Sequence, residues 1–287
     1  MKDVSELDLE NNIPLAALKG SQSRSVVTVG GAQFGSEQFV VIAGPCAVES
    51  REQVEEIGNA VRERGAAMLR GGAFKPLTFP YRSAKMFELG EEGLEFLRQA
   101  GDASGLPTVS EVIDVRKVGK VAELADMLQI GTRSMQNFPL LEEVARAGKP
   151  VLLKRHFGAS IRDWLGAAEY LLHNGNDQVV LCERGIVAPH THKPTSRFIV
   201  DLQAVLAVKE LTHLPVIVDP SHSTFSRSFV APVARAALAI GADGILLDVH
   251  PVPEEAAVDP LQALSYDAFG ELMDDLRRMA PIMDRVI

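Results

Sequence analysis

Five cationic side chains stand just past apolar runs of the chain: Arg70, Lys75, Arg133, Lys154 and Arg184. Guanidinium forks and ammonium point charges grip phosphate and carboxylate together, so a small phosphorylated acid suits these residues if they converge. A second set, Cys46, His222, Asp248 and Asp259, offers a soft thiolate, an imidazole and two carboxylates. Mixed sulfur, nitrogen and oxygen ligation fits a borderline divalent ion such as Mn, Fe, Co or Zn better than Mg or Ca. No compact ligand spacing supports this set, and Cys46 taken alone reads as a small core hydrophobe. Cys182 lies inside an apolar run and reads as core. His156, His173 and His213 fall on loops or helices, where satisfied surface histidines are expected.

Both sets are sites only if the fold gathers them. Eight runs are nearly all apolar, as strands buried on both faces must be: 39–44, 66–70, 106–111, 126–131, 150–154, 178–183, 214–219 and 244–249. Amphipathic stretches between them, among them 50–64, 110–125, 160–174 and 228–241, are often opened by serine and read as helices. Eight such units in 287 residues predict an α/β fold, the (β/α)8 TIM barrel. The rival doubly wound sheet lacks its glycine-rich fingerprint after the first strand. Residues 25–31 and 36–42 predict a short N-terminal β-hairpin that plugs the barrel's N-terminal mouth. The expected division is an extension over 1–36 and a catalytic barrel over 37–287. Loops after the strands build the site of such a barrel. They would bring the five cations to one mouth and set Cys46, His222 and Asp248 on adjoining strands one, seven and eight. Glu111, Gln136, Asn137, Arg155, Glu183, Asp219 and His250 stand at strand ends too.

Hydrophobic residues make up 46% of the chain, enough for a large core, and the net charge of −9 argues against nucleic acid or an anionic membrane as partner. No apolar run spans a bilayer and the N-terminus lacks a signal-peptide core, so a soluble cytoplasmic protein is expected. Two cysteines make no disulfide framework.

GPCAVES (44–50), RGGAFKP (70–76), LQIGTRSMQNF (128–138), LLKR (152–155), CERGI (182–186) and VDPSHS (218–223) closely resemble the 3-deoxy-D-arabino-heptulosonate 7-phosphate (DAHP) synthases in their short microbial form. More distantly the chain is similar to the 3-deoxy-octulosonate 8-phosphate synthases. The resemblance implies a metal-dependent barrel, a homotetramer or homodimer, that condenses phosphoenolpyruvate with an aldose. By motif, Arg70, Lys75, Arg133, Lys154 and Arg184 would bind phosphoenolpyruvate, and Cys46 and His222 would hold a divalent metal ion. The family's metal-binding glutamate falls on Asp248, one methylene shorter, and its fourth ligand on Asp259. Lys75 and Cys46 would stand at the reacting end, and His222, Glu111 or a metal-held water would move protons, a choice the sequence leaves open.

The acceptor half departs from the family. Lys75-Pro76-Leu77-Thr78-Phe79 stands where the family runs Lys-Pro-Arg-Thr-Ser, so the arginine that grips the aldose phosphate is missing. A second family arginine gives way to Val187, and the following stretch is longer and adds His190, His192 and Lys193. Leu77, Thr78, Phe79, His190, His192, Lys193 and Arg197 are therefore the candidate acceptor-binding residues. Three readings follow: an acceptor other than erythrose 4-phosphate, an ordinary DAHP synthase in which Arg82, Lys85 or a neighbouring subunit replaces the lost arginine, or a non-catalytic phosphoenolpyruvate sensor. Retention of Cys46 and all five cations speaks against the last.

Overall fold

The computed structural model describes residues 11–20, 23–76, 88–188 and 198–287. The candidate acceptor residues Leu77, Thr78, Phe79, His190, His192, Lys193 and Arg197, with Arg82 and Lys85, lie outside them. In chain order the strands are β1 (Val27–Val29), β2 (Ala32–Phe34), β3 (Val40–Gly44), β4 (Met68–Arg70), β5 (Thr108–Glu111), β6 (Met127–Ile130), β7 (Val151–Lys154), β8 (Val179–Glu183), β9 (Ile186–Val187), β10 (Phe198–Ile199), β11 (Val216–Val218) and β12 (Gly244–Asp248). Eight of them, β3 to β8 with β11 and β12, close a parallel barrel in which β12 pairs back onto β3. A helix follows each barrel strand, so the predicted TIM barrel is the observed fold.

Side chains alternate across each strand, and this period of two builds the core in two shells. Ile42, Met68, Val109, Met127, Leu152, Val180, Ile217 and Leu246 point inward and cluster together. Their strand neighbours, such as Val41, Leu69, Leu128, Leu153 and Leu247, pack outward beneath the helices. Cys182 belongs to the inner cluster and is fully buried, as expected of a core cysteine.

Serine caps start several helices where the amphipathic pattern places them. Ser50 Oγ accepts from Gln53 N ahead of Arg51–Glu63, and Ser160 forms a reciprocal capping box with Asp163 ahead of Ile161–His173. The helix expected over 110–125 is shorter. Glu111 ends β5, Asp114 caps a 3-10 turn, and the α-helix runs only over Val118–Leu124. His213, expected at the surface, is buried, with Ser25 Oγ on Nδ1 and the Leu15 carbonyl on Nε2, both at 2.8 Å.

The N-terminal hairpin exists with a different register. Its second arm is β2, turning at Gly30 and Gly31, whereas the predicted arm at 36–42 runs into barrel strand β3. The shift follows from burial: Val27, Val29, Ala32 and Phe34 all face the inner barrel cluster and close its floor. Phe34 is fully buried there. Phe34→Ala is expected to cost about 3–5 kcal/mol in urea-induced unfolding, because the closed floor leaves little room for collapse.

Candidate active site at the barrel mouth

The strand alternation that fills the barrel also aims its chemistry. Two residues beyond an inward apolar side chain come Arg70 after Met68, Glu111 after Val109, Gln129 after Met127, Lys154 after Leu152, Arg184 after Cys182, Asp219 after Ile217 and Asp248 after Leu246. All therefore face the C-terminal mouth. Arg70, Lys75, Arg133, Lys154, Arg184, Glu111, His222 and Asp259 line one cavity of about 200 Å³, so the five predicted cations do converge. Opposite parity sends Arg155 and Glu183 outward, where they pair at 3.0 Å and Arg155 also meets Asp201. These two strand-end charges hold the fold together rather than line the site. Asn137 caps the helix Phe138–Arg146, and His250 turns to the Val252 carbonyl.

The cations are not gathered alone. Lys154 Nζ lies 2.6 Å from Asp219 Oδ2, and Arg70 pairs closely with Asp248. All four side chains are almost fully buried. Burial by itself would raise the Asp219 carboxyl, but His222 and Lys154 hold it well below the usual carboxylate range. The same opposition at Asp248, with Arg70 and His222 on the winning side, keeps that carboxyl low. Convergence of Arg70 and Lys154 thus does not depend on a bound polyanion.

Arg184 differs. It is buried, its guanidinium carbon stacks 4.5 Å from the centroid of Phe198, and Nη1 finds no hydrogen-bond partner among the described residues. Burial lowers its pKa. A buried guanidinium with an unmet donor facing a cavity calls for an anion. Gly185 makes its placement possible: φ is +98°, and a Cβ there would sit 2.8 Å from Phe198 Cβ.

The second set is equally compact. Ligand atoms of Cys46, His222, Asp248 and Asp259 all lie within 4.8 Å of one another. Cys46 Sγ is 3.4 Å from Asp259 Oδ2 and 3.8 Å from His222 Nε2, which is 3.6 Å from Asp248 Oδ2. Donors about 2.0–2.3 Å from one tetrahedral ion stand roughly 3.3–3.8 Å apart, so these four residues can hold a metal ion. Asp219 orients the imidazole by taking its Nδ1 at 2.9 Å, which leaves Nε2 for the cluster. Lys75 Nζ reaches the Cys46 carbonyl at 3.0 Å and Sγ at 3.2 Å. Gly72 clears its path, since a Cβ there would meet the Cys46 carbonyl at 2.5 Å and the lysine stem at 2.9 Å. Burial pushes the Cys46 thiol up to about 12, against the pull of Lys75. A cation binding there must therefore displace a proton.

Several residues in the site carry no role in the sequence reading. Gln262, fully buried, donates to Asp248 Oδ2 at 2.6 Å and fixes the carboxylate from the side opposite Arg70. Gln129 donates to Glu111 at 3.1 Å. Phe157, Phe198 and Phe225 also line the cavity, and Phe198 begins the ribbon β9–β10, which short polar-flanked segments did not announce. The signal for Asp219 and Gln129 was present as strand parity. Gln262 stands on irregular chain 14 positions from its partner, where no period applies.

The sequence profile of the DAHP synthetase I family matches residues 21–283. The chain belongs to this family. It is 44% identical over 256 residues to a phospho-2-dehydro-3-deoxyheptonate aldolase of Thermotoga maritima, covering 89% of this chain and 74% of that protein. A 2-dehydro-3-deoxyphosphooctonate aldolase of Syntrophotalea carbinolica is 29% identical, covering 87% and 93%. The crystal structure of the Thermotoga maritima DAHP synthase superposes with a TM-score of 0.88 at 42% identity, covering 95% of this chain and 78% of that one. A truncated form of 3-deoxy-D-arabino-heptulosonate 7-phosphate synthase from the same organism gives 0.87 at 40%, covering 96% and 99%. Among the described residues no helix is long and apolar enough to cross a membrane.

Within this family member, Gln262→Met is expected to lower divalent-metal affinity about 10- to 100-fold in a chelator competition titration, because Asp248 loses the donor that aims it. Arg155→Met should instead leave metal affinity unchanged while costing about 3–5 kcal/mol of stability, since it strands the buried Glu183.

Proposed function

We propose that the protein is a DAHP synthase-like enzyme that joins C3 of phosphoenolpyruvate to the carbonyl carbon of an aldehyde and releases phosphate. The observation that carries this reading is that one cavity presents both the cationic grip and the four-residue metal cluster, with Lys75 at 3.2 Å from the thiol that links them. Cys46, His222, Asp248 and Asp259 would hold a borderline divalent ion, Mn, Fe, Co or Zn, and the chemistry it would supply is Lewis acidity toward the aldehyde carbonyl or a water.

The remaining work belongs to the chain itself. Arg184, with its unmet donor, anchors the phosphate, and Arg133, at the exposed rim, supplements it. Arg70 and Lys154, already fixed by Asp248 and Asp219, present the remaining positive charge at the cavity floor without rearranging. Lys75 stands between the thiol and the substrate space, placed to steady charge that develops at the reacting carbons. Glu111, held by Gln129, is the carboxylate within the cavity that takes or gives a proton, since Asp219 and the metal cluster engage both nitrogens of His222. A purely sensory barrel would have no use for a buried thiol in contact with the lysine of the grip.

Phosphate release is the direct test. Phosphoenolpyruvate, a divalent ion and a panel of aldehydes should yield inorganic phosphate in step with loss of the aldehyde. Chelation should abolish the reaction and added metal restore it. Tight phosphoenolpyruvate binding without phosphate release from any aldehyde would overturn the reading.

A further inference from the structure

The cavity has one wall unlike the rest. Phe157 follows β7, Phe198 opens β10, and Phe225 follows the short helix Pro220–Thr224 that carries His222. Their rings form a chain, with centroids 5.5 Å apart between Phe157 and Phe198 and 5.7 Å between Phe198 and Phe225. All three residues are half-buried and line the cavity. Pro76 and Val258 add further carbon to the lining.

Phe225 holds this wall at a conformational cost. Its φ of 49° and ψ of 27° are left-handed, a region that a bulky residue rarely adopts and that glycine would occupy freely. Strain of this kind persists where the surroundings enforce it, and here the side chain it retains is an aromatic ring facing a substrate cavity. Arg184 already stacks its guanidinium face on Phe198, so the wall meets the phosphoenolpyruvate grip at one edge and continues beyond it as hydrocarbon. Elsewhere in the lining, Arg70 and Lys154 are committed to buried carboxylates on the floor. A second phosphate group laid against the three rings would lose its hydration with little returned, whereas a planar or aliphatic body would be covered on one face.

We propose that Phe157, Phe198 and Phe225 form the acceptor subsite, and that the acceptor is an aldehyde whose body beyond the carbonyl is apolar or aromatic. The inference rests on the condensation reading above. The step balances without a further reactant than water. C3 of phosphoenolpyruvate bonds to the aldehyde carbon, and water supplies the new oxygen at C2. The bond from C2 to the phosphate ester oxygen breaks. One proton from water ends on the aldehyde oxygen and the other leaves with phosphate, giving a 3-deoxy-2-oxo acid with an apolar tail.

The test compares kcat/KM for phenylacetaldehyde, hexanal, glyceraldehyde and erythrose 4-phosphate at saturating phosphoenolpyruvate and fixed metal. The apolar aldehydes are expected to exceed erythrose 4-phosphate by about tenfold or more, a size that hydrophobic pocket contacts supply. Phe225→Ser and Phe157→Ser should each lower that preference about tenfold, through KM for the aldehyde and not through KM for phosphoenolpyruvate. Phe225→Leu should recover most of it, and thermal melting of each variant checks that the barrel is folded. Equal or higher kcat/KM for erythrose 4-phosphate overturns the aromatic subsite while leaving the condensation intact. So does an equal loss toward all aldehydes in the serine variants. Turnover with no aldehyde overturns the condensation reading itself, and this inference with it.

Discussion

Charge buried at this barrel mouth is matched by opposite charge beside it at Arg70, Lys154, Asp219 and Asp248, with Arg184 the exception, and the arrangement of the site follows from that constraint. Removing a carboxylate or an ammonium from water costs several kcal/mol unless a partner and hydrogen bonds compensate. Asp219 meets the requirement twice, with Lys154 Nζ and His222 Nδ1 both close to Oδ2, and so aims both a cation of the grip and the imidazole of the four-residue cluster. Asp248 does the same with Arg70 and Gln262. The two sites are therefore one network: a carboxylate that steadies a cation of the grip also steadies, or is, a member of the four-residue cluster. Preorganisation of this kind is what electrostatic catalysis needs, because the dipoles and charges are already in place when charge develops.

Strand alternation is the means by which a linear sequence specifies this network. Nearly continuous apolar runs announced the eight barrel strands, and counting by two from Met68, Leu152, Cys182, Ile217 or Leu246 leads to the residue that enters the mouth. The same count separates Lys154 from Arg155 and Arg184 from Glu183: neighbours in sequence, one in the site and one beneath the helices. What remained illegible lies where no period operates. Gln262 reaches Asp248 from an irregular loop, the hairpin register was decided by which face of β2 could close the barrel floor, and the ribbon β9–β10 is only two residues per strand. His213 looked like a surface residue because its partners, Ser25 and Leu15, come from the far end of the chain.

Membership in the DAHP synthetase I family accounts for the motifs that carry the grip. Asp248 replaces the expected glutamate, yet it still lies 3.6 Å from His222 Nε2, because Gln262 and Arg70 hold the shorter side chain in place. Leu77 stands where the resemblance expects an arginine, and the described part of the cavity lining includes Phe157, Phe198 and Phe225. Loss of a guanidinium fork and a hydrocarbon wall in the described lining are the two observations on which the proposed change of acceptor rests.

The cationic grip, in which Arg184 Nη1 meets no hydrogen-bond partner among the described residues, is the proposed binding site for phosphoenolpyruvate. Calorimetric titration of phosphoenolpyruvate into metal-free wild-type protein and into Arg184→Met measures it directly. The account predicts saturable binding without metal and a loss of about 10- to 100-fold in affinity for the variant, the worth of one or two charge-assisted hydrogen bonds. Equal affinity in the two proteins would contradict it.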